Sequence, residues 1–485
     1  MDMRPPLKRC FFMRKHNAGI SPVAKHLFEC GLFVSPYAMA KPKHQQIIFE
    51  ILALPDFCER LIFSRSHNCL FQKIDGKYWR PLQPDEVKKT VWDFLTMAHA
   101  QDVDLTMGLL TDLYSQLRYA VPECNLDAED HYLAFEDQLY DLHTFQFVPY
   151  DRVRVATFYF PFPSSALQQP HPTFDRFLST ALVQQEDTTE HDPSLAYFLQ
   201  EMMGYFLSTS MKAAACLFLV GAGQNGKSTL TDLIESIFPD GYRIAMSIEA
   251  LTADKYGSAA LVGKKINICN EEESRYIRSD KFKAMISGDS ITGERKYESS
   301  FTFKPRTKFV FCSNNMPTFE GVSHGLIRRI KIIPLYRKFS DHSTDRDPDM
   351  GAKMALEIPG IVGWALEGLH RLHQRRYAFP AESDQMARVG RDFTDSMSSA
   401  LTFFRETYEC SEDENDQILY KELYDKYKAW CVENGRKALS SNKFHYDIST
   451  NVEGIRNTVA NSRRYRQVKP LSFDLMDGTP NIFGS

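Results

Sequence analysis

The chain has 485 residues, of which 43% are hydrophobic and 25% are charged, and its formal net charge is −4. This composition is ordinary for a soluble globular protein, and the near balance of charge means that any nucleic-acid site must be a local basic patch. Ten cysteines are scattered without a Cys-x-x-Cys pair, and no apolar run approaches 18 residues. These features argue against a zinc ribbon, a disulfide framework and a membrane span, so we expect an intracellular, soluble protein without membrane contact.

The N-terminal part of the chain begins with a segment that we leave unassigned. Residues 1–60 mix basic and apolar stretches and lack the apolar core of a signal peptide. Apolar residues at helical spacing predict helices within 85–120, and short apolar runs predict strands within 131–163. We interpret residues 61–195 as one α-rich N-terminal module.

The middle of the chain alternates helical segments with short apolar runs. The runs predict strands at 216–220, 265–270, 308–313 and 329–335. This alternation is typical of a parallel sheet covered by helices, and we place such an α/β core at residues 196–345.

The C-terminal part is predicted to contain a packing helix and a separate small unit. Apolar spacing predicts a helix over 359–372, within a helical lid or linker that we assign to residues 346–395. In residues 396–485, helices are predicted at 401–408 and 420–434, followed by a basic stretch at 456–468. Helices followed by a basic hairpin indicate a winged-helix domain.

The most informative motif is GAGQNGKS at residues 221–228, a full match to the phosphate-binding pattern G-x-x-x-x-G-K-[ST]. An apolar run precedes it and helical spacing follows it, which is the strand–loop–helix context that phosphate binding needs. Lys227 is expected to reach the β- and γ-phosphates of ATP, and Ser228 to bind Mg²⁺. The residues predicted to bind the nucleotide are Gly221, Gly223, Gln224, Asn225, Gly226, Lys227, Ser228 and Thr229.

Polar residues follow two of the other predicted strands. The strand at 265–270 runs into Glu271, Glu272 and Glu273, and the strand at 308–313 is followed by Asn314. Nucleotides bind at the carboxyl ends of parallel strands, so Glu271 is predicted to orient Mg²⁺ and Glu272 to polarise the attacking water. Asn314 is predicted to contact the γ-phosphate or that water. The alternatives are a solvated acidic loop and an ordinary turn.

Two adjacent arginines, Arg328 and Arg329, lie about 100 residues after the phosphate-binding motif. Arginine is suited to stabilising charge on a phosphoryl group in transfer, and one supplied by a neighbouring subunit would couple hydrolysis to assembly. The alternative is a basic pair on the surface.

Five segments in order resemble the superfamily 3 helicases, and within them the phage, plasmid and poxvirus-type primase–helicases. They are GAGQNGKS, INICNEEES, SGDSITGERKYESSFTFKP, KFVFCSNNMP and GLIRRIKIIP. The resemblance is strongest over 211–340 and extends to 135–151 and to the last unit. It implies that the N-terminal module, residues 61–195, forms a collar. It implies an AAA+-like P-loop ATPase core in which Lys227 and Ser228 are the Walker A pair, Glu271 and Glu272 are Walker B, Asn314 is the sensor, and Arg328 or Arg329 is the trans-acting finger.

The resemblance also implies a β-hairpin at residues 288–305 that points into the channel of a hexameric ring. Basic side chains there would neutralise phosphates, and aromatic ones would stack on bases, although Phe301 and Phe303 are better explained as core. The winged helix would contact origin DNA or a partner such as a primase. The residues predicted to contact DNA are Arg295, Lys296, Lys304, Lys443, Arg463, Arg464 and Arg466.

The sequence departs from the family pattern in two ways. Larger relatives carry a primase domain before the helicase, whereas about 60 residues precede the recognisable module here, so we expect no primer synthesis by this chain. Ile327 stands where an aromatic residue is expected.

The function that the resemblance implies is an ATP-dependent, ring-forming DNA helicase with 3′-to-5′ polarity, which replicates a phage, satellite, plasmid or viral genome. Its expected partners are single-stranded DNA in the channel, fork duplex, and a primase or origin-binding protein in trans. Two alternatives stay open, namely a P-loop ATPase that acts as a switch or scaffold without unwinding, and an RNA helicase.

Overall fold

A computed structural model describes most of the chain between residues 47 and 471. The described ranges are 47–48, 50–53, 61–65, 67–98, 104–124, 126, 130–151, 155–184, 188–272, 277–295, 300–314, 316, 319–320, 324–339, 347–413, 415–436, 438–452, 454–460 and 463–471. Glu273 and Lys296, both singled out by the sequence, lie outside these ranges. No helix within them is long and apolar enough to cross a membrane.

Two small mixed sheets dominate the N-terminal part of the described chain. Their strand orders are β3–β2–β1–β4 and β7–β6–β5–β8, and in each sheet the last-named strand pairs in parallel while the other pairs are antiparallel. The strands are β1 (Leu61–Ser64), β2 (Cys69–Ile74), β3 (Tyr78–Leu82), β4 (Glu123–Cys124), β5 (Asp130–Ala134), β6 (Leu139–Asp141), β7 (Gln146–Val148) and β8 (Val155–Tyr159).

Two helices cover the first of these sheets. Helices α1 (Pro84–Ala98) and α2 (Met107–Ala120) bury apolar residues four apart, such as Val87 and Val91 on α1 and Leu113 and Leu117 on α2. The predicted helices within 85–120 are therefore confirmed. The module also contains eight short strands in two sheets, so it is mixed α/β. The three strands between residues 61 and 82 were not predicted, because each carries too few residues for its alternation to stand out.

The central sheet has five parallel strands in the order β10–β11–β15–β9–β17. The four predicted strands of the core all belong to it. Its strands are β9 (Cys216–Val220), β10 (Arg243–Ile244), β11 (Ile266–Cys269), β15 (Lys308–Ser313) and β17 (Ile330–Pro334). Residues of β11 and β15 are buried throughout, as expected for a parallel sheet covered on both faces.

Helices and two minor two-stranded sheets surround the central sheet. The minor sheets pair β12 (Ile277–Arg278) with β16 (Phe319–Glu320), and β13 (Ile291–Gly293) with β14 (Phe301–Phe303). The helices are α3 (Pro172–Ala181), α4 (Pro193–Leu207), α5 (Lys227–Ile237), α6 (Ile248–Ala253), α7 (Lys255–Ala259), α8 (Ser279–Ser287), α9 (His324–Ile327), α10 (Met350–Ala355), α11 (Ile358–Gln374) and α12 (Asp384–Met397).

Helix α11 confirms the predicted packing helix. Ile361, Ala365 and Leu369 are buried, and the helix packs along α4. The buried carboxylate of Glu201 on α4 accepts hydrogen bonds from Arg371 and Arg375, the first at 3.4 Å. The helix thus joins the predicted lid region to the core.

The C-terminal unit follows the order helix, two strands, two helices and hairpin. Strand β21 pairs antiparallel with β18, β19 and β20, while Phe403, Tyr427 and Phe444 form the centre of an apolar core. Both predicted helices and the basic hairpin are present. The elements are α13 (Ser399–Thr407), β18 (Tyr408–Cys410), β19 (Gln417–Leu419), α14 (Tyr420–Glu433), α15 (Ser441–Asn451), β20 (Arg456–Ala460) and β21 (Arg463–Pro470).

Candidate functional site

The loop at residues 221–226 connects the end of β9 to the first residue of α5, so the motif lies in the predicted strand–loop–helix context. Gly223 and Gly226 have φ values of 91° and 86°, in the left-handed region that favours glycine. A side chain at Gly226 would also come within 3.1 Å of the Phe177 ring. These constraints hold the loop in a tight curve over the N-terminus of α5, a helix end that attracts anions.

Lys227 is the first residue of α5, and only 8% of its surface is exposed. Its Nζ donates to the Gly221 carbonyl, to Asn225 Oδ1 at 3.1 Å and to Asn314 Oδ1 at 3.3 Å. Burial lowers the pKa of Lys227 below its ordinary value. The ammonium group is therefore held by neutral oxygens, which an anionic phosphate can replace as partners.

The two predicted acidic residues differ sharply in environment. Glu271 is exposed to solvent, whereas only 1% of the surface of Glu272 is exposed. One oxygen of the Glu272 carboxylate accepts the backbone N–H of Ile248 at 2.8 Å, at the start of α6. Its own backbone N–H donates to the Cys312 carbonyl at 2.8 Å, which fixes the end of β11 beside the end of β15. Glu271 is thus free to turn toward a ligand, while Glu272 is fixed in place.

The strand order brings these groups together. Strand β15 lies between β9 and β11, so Asn314 at its end stands between the phosphate-binding loop and the acidic pair. All of them line one cavity of about 550 Å³. That volume lies within the range of known small-molecule sites. The predicted juxtaposition of Lys227, Glu271, Glu272 and Asn314 is therefore present in the structure.

The far wall of the cavity was not predicted from the sequence. Phe177 and Thr180 of α3 contribute to it, together with Phe339, Asp347 and Met350. No local motif marks these residues, since they come from segments about 50 residues before and 120 residues after the loop. Phe177, Phe339 and Met350 make part of this wall apolar, while Asp347 adds a charged group to it.

A group of ion pairs lies at this wall of the cavity. The Asp347 carboxylate forms ion pairs with Arg176 of α3 at 2.8 Å and with Lys353 of α10 at 2.7 Å. The hydrogen bond from Lys353 is the main cause of a lowered pKa of Asp347. The group joins α3 to the segment that precedes α10, and Asp347 of that segment lines the cavity.

The two candidate finger arginines have different environments. Arg329 is partly buried, where its Nε donates to Ser287 Oγ at 2.9 Å and its Nη1 donates to the Gly325 carbonyl. Burial, and secondarily the charge of Arg328, lowers the pKa of Arg329. Arg328 is exposed. Neither residue lines the cavity of its own chain.

The hairpin β13–β14 has the register Ile291–Phe303, Thr292–Thr302 and Gly293–Phe301. Phe303 is buried and Phe301 packs against the core, as predicted. Its predicted DNA-contacting residues are in three different situations. Lys304 is exposed, Lys296 lies outside the described residues, and the guanidinium group of Arg295 stacks 5.2 Å from the Phe301 ring while donating to the Asn68 carbonyl at 3.1 Å.

The C-terminal basic residues also differ from one another. Arg463 and Arg464 are exposed on β21, and Lys443 pairs with Asp447 at 2.6 Å. Arg466 is fully buried and donates to the His445 carbonyl at 2.6 Å and to Ser449 Oγ at 2.8 Å. A side chain without exposed surface cannot contact DNA, so the prediction for Arg466 is wrong. Three consecutive residues of β21, Arg466 to Val468, are buried, and Arg466 lies against α15, which carries both of its acceptors.

A separate histidine group lies at the second N-terminal sheet, where ligand atoms of His131, Asp141 and His143 are within 4.8 Å of one another. The two imidazole rings are stacked, with centroids 4.4 Å apart and planes 10° from parallel. Asp141 Oδ1 already accepts the backbone N–H groups of His143 and Thr144 at 2.7 and 3.3 Å. Lone pairs in parallel ring planes do not converge on one point, so this geometry does not favour metal binding.

Two segments of the chain match known protein families. Residues 219–329 match a family of unknown function, DUF5906, and residues 400–471 match the Poxvirus D5 protein-like family. The first segment contains the loop, the acidic pair, Asn314 and both arginines. The second is the C-terminal unit with its helices and hairpin.

The chain is homologous to viral proteins described as a helicase and a primase. A putative helicase (L207/L206) of Acanthamoeba polyphaga mimivirus is 28% identical over 230 residues, which are 45% of this chain and 23% of that protein. A putative primase (C962R) of African swine fever virus, strain Badajoz 1971 Vero-adapted, is 27% identical over 139 residues, which are 26% of this chain and 14% of that protein. The chain thus spans less than a quarter of the length of either relative.

Among solved structures, the chain is similar to apo forms of the NrS-1 C terminal region. One covers 84% of this chain and 94% of its own, and another, of residues 305–718, covers 88% and 99%. Both have a TM-score of 0.42 and 11% sequence identity. The similarity to these structures is therefore distant in both backbone and sequence.

Proposed function

We propose that this chain is an ATP-dependent, ring-forming DNA helicase that acts in the replication of a viral genome. The observation that carries the proposal is the arrangement of Lys227, Asn314 and the acidic pair around a single cavity at one edge of a parallel sheet. Homology to viral proteins described as a helicase and a primase supports a role in DNA replication.

The cavity fits a nucleoside triphosphate with Mg²⁺. The curved loop and the N-terminus of α5 would receive the phosphates, with Lys227 on the β- and γ-phosphates and the exposed Ser228 hydroxyl on the metal. The apolar part of the far wall, with Phe177 and Phe339, would receive the base. When bound, the metal would neutralise charge that develops on the phosphates during transfer.

The environments of the two glutamates suggest different roles. Glu271 is exposed within the cavity lining, so it can reach the metal or a water bound to it. Glu272 is buried and has one oxygen fixed by the Ile248 amide, so its second oxygen has a defined position. A fixed carboxylate of this kind is suited to orient the attacking water. Asn314 would contact the γ-phosphate that Lys227 binds, because its side chain already contacts Lys227.

The position of the arginines supports assembly into a ring. Arg328 is exposed and lies outside the cavity of its own chain, so it is available to the cavity of a neighbouring subunit. Arg329 is held by Ser287 and by the Gly325 carbonyl. We therefore assign the trans-acting finger to Arg328, in a ring that we propose to be hexameric.

The hairpin and the C-terminal unit supply candidate DNA contacts. Lys304 at the hairpin, and Arg463 and Arg464 on β21, present exposed positive charge suited to phosphates. The order helix, two strands, two helices and hairpin in residues 399–470 supports a winged helix with β20 and β21 as its wing. We propose that this wing contacts duplex DNA at the origin or fork.

The test is strand separation on forked DNA with a 3′ or a 5′ loading tail, with ATP and Mg²⁺, in parallel with Lys227→Ala. The proposal predicts unwinding that requires ATP, Lys227 and a 3′ tail. Robust ATP hydrolysis without unwinding of either fork would favour the switch or scaffold alternative. Unwinding of RNA forks in preference to DNA forks would favour the RNA helicase.

A further inference from the structure

Asn225 lies in the middle of the phosphate-binding loop, yet only 3% of its surface is exposed. Its neighbours Ala222 and Gln224 are exposed. Burial of a side-chain amide costs free energy unless its donor and acceptor are both paired. A loop that only wrapped phosphates would not need a buried amide, so Asn225 calls for a separate explanation.

Both ends of the Asn225 amide have partners. Its Nδ2 donates to the Leu335 carbonyl at 2.8 Å, and its Oδ1 accepts from Lys227 Nζ at 3.1 Å. Leu335 directly follows β17, and its own N–H donates to the Val220 carbonyl at 2.7 Å, at the end of β9. The amide therefore joins the loop to the end of the neighbouring strand and holds the ammonium group at the same time.

A further contact fixes the same two segments. The Phe339 N–H donates to the Gln224 carbonyl at 2.7 Å. The segment from residue 335 to residue 339 is thus hydrogen-bonded to the loop at Gln224 and at Asn225. The position of the loop, and with it that of Lys227, depends on this segment.

Gly221, the first glycine of the motif, has a steric role that differs from that of the later ones. Its φ is outside the left-handed region that Gly223 and Gly226 occupy. A Cβ at Gly221 would lie 1.8 Å from Asn225 Nδ2 and 2.4 Å from the Leu335 carbonyl oxygen. The space that a side chain would need is therefore taken by the Asn225 amide and its acceptor.

We propose that Asn225 is a positioning residue for Lys227, and that glycine is required at 221 because the Asn225 amide crosses the loop there. The inference rests on the proposed nucleotide binding, in which Lys227 contacts the phosphates. The Asn225 side-chain nitrogen and oxygen each already have a partner within the protein, so its effect on the nucleotide comes through the position of Lys227. Its loss moves Lys227 and loosens the loop from β17.

The test compares binding and hydrolysis for Asn225→Ala, Gly221→Ala, the double variant and Lys227→Ala in the full chain. Asn434→Ala is the matched control, since that amide also donates to a backbone carbonyl, of Trp430 at 2.9 Å, but lies in the C-terminal unit. Calorimetric titration with the ATP analogue AMP-PNP and Mg²⁺ gives both the Kd and the number of binding sites per chain. ATP hydrolysis gives kcat and KM.

The expected result for Asn225→Ala is a Kd raised about tenfold and a lowered kcat, with the number of sites unchanged. A merely structural role would instead reduce the number of sites and leave the Kd of the remaining ones unchanged. Gly221→Ala should weaken binding in the same way. The double variant should lose no more than the worse single variant, because both substitutions disturb one contact.

Two results separate failure of this inference from failure of the proposed function. Binding by Asn225→Ala within about twofold of the native chain, with binding lost in Lys227→Ala, overturns the role of Asn225 alone. Unchanged binding in Lys227→Ala overturns the proposed function itself. If Asn225→Ala does not fold, Asn225→Asp replaces it, since it keeps the oxygen near Lys227 but loses the donor to Leu335, and a native Kd in that variant also overturns the inference.

Discussion

The side-chain oxygen of Asn314 lies 3.3 Å from Nζ of Lys227, across the cavity from the end of β15 to the start of α5. The contact links two predicted functional residues that are 87 positions apart in the chain. A γ-phosphate bound by Lys227 would therefore lie within reach of Asn314. We expect both side chains to contact the γ-phosphate when a triphosphate binds.

Asn314→Ala should lower kcat for ATP hydrolysis roughly 100-fold, because a fixed polar contact in the transition state is lost. The affinity for AMP-PNP should change little, since Lys227 and the loop remain. Single-turnover hydrolysis and calorimetric binding check this. Weaker AMP-PNP binding with an unchanged kcat would show instead that Asn314 contacts the ground state and the transition state equally.

The two glutamates should separate metal binding from water activation. Glu272→Gln retains an oxygen for the Ile248 N–H, so the fold should persist while kcat falls about 100-fold. Glu271→Gln should instead raise the Mg²⁺ concentration needed for half-maximal hydrolysis. Mg²⁺ titrations of both variants distinguish the roles, and an unchanged Mg²⁺ requirement in Glu271→Gln argues against metal contact.

Arg328→Ala mixed with the native chain should inhibit hydrolysis more than in proportion to its fraction, because each variant subunit disables its neighbour's site. Arg329→Ala should mainly reduce stability, since it removes hydrogen bonds to Ser287 and to the Gly325 carbonyl. Activity against mixing ratio, with thermal unfolding of each variant, checks both statements. Activity that falls linearly with added Arg328→Ala would falsify the trans role.

The basic residues of the C-terminal unit should divide into DNA-contacting and structural ones. Arg464→Ala should weaken duplex binding and reduce the slope of log affinity against log salt by about 1. Arg466→Ala should instead cost about 2–4 kcal/mol in the free energy of unfolding of this unit, because buried hydrogen bonds and packing are lost. Fluorescence anisotropy at several salt concentrations and chemical denaturation are the measurements. A stable Arg466→Ala protein with a reduced salt slope would reverse the assignment.

The stability of the C-terminal unit should fall in mild acid through His445. Burial, followed by the charge of Arg466, lowers the pKa of His445 from 6.5 to about 4. A depressed pKa in the folded state means that the unfolded chain takes up the proton first. The contribution of neutral His445 to the free energy of unfolding is therefore complete above pH 6.5 and is lost as pH falls from 6.5 to about 4.

After allowance for partial exposure, the loss from His445 is on the order of 2 kcal/mol. Denaturation at pH 7 and pH 4.5 measures it, with His445→Gln as the variant that should lack the dependence. If His445→Gln loses as much stability between pH 7 and pH 4.5 as the native chain, another group causes the pH dependence.

The sequence alone determined four of the five strands of the central sheet and which residues were expected at their carboxyl ends, but it gave no sign of β10. The loop at 221–226 and the strands on either side of it carry strong local signals, namely glycine spacing and continuous apolar runs. Because the carboxyl ends of parallel strands share one edge, Lys227, Glu271 and Asn314 were expected to meet, and they do. A local sequence pattern is enough to predict a site when the motif identifies the residues and the parallel strand direction brings them to one edge of the sheet.

Only the tertiary structure decided which polar groups face a ligand and which are buried. Arg464 and Arg466 are two residues apart on one strand, yet one is exposed and the other is buried under α15 by Ser449 and the His445 carbonyl. Glu271 and Glu272 differ in the same way, and Phe177 reaches the cavity from a distant helix. Burial depends on which segments pack against a residue, and those segments are remote in sequence, so no local spacing contains that information.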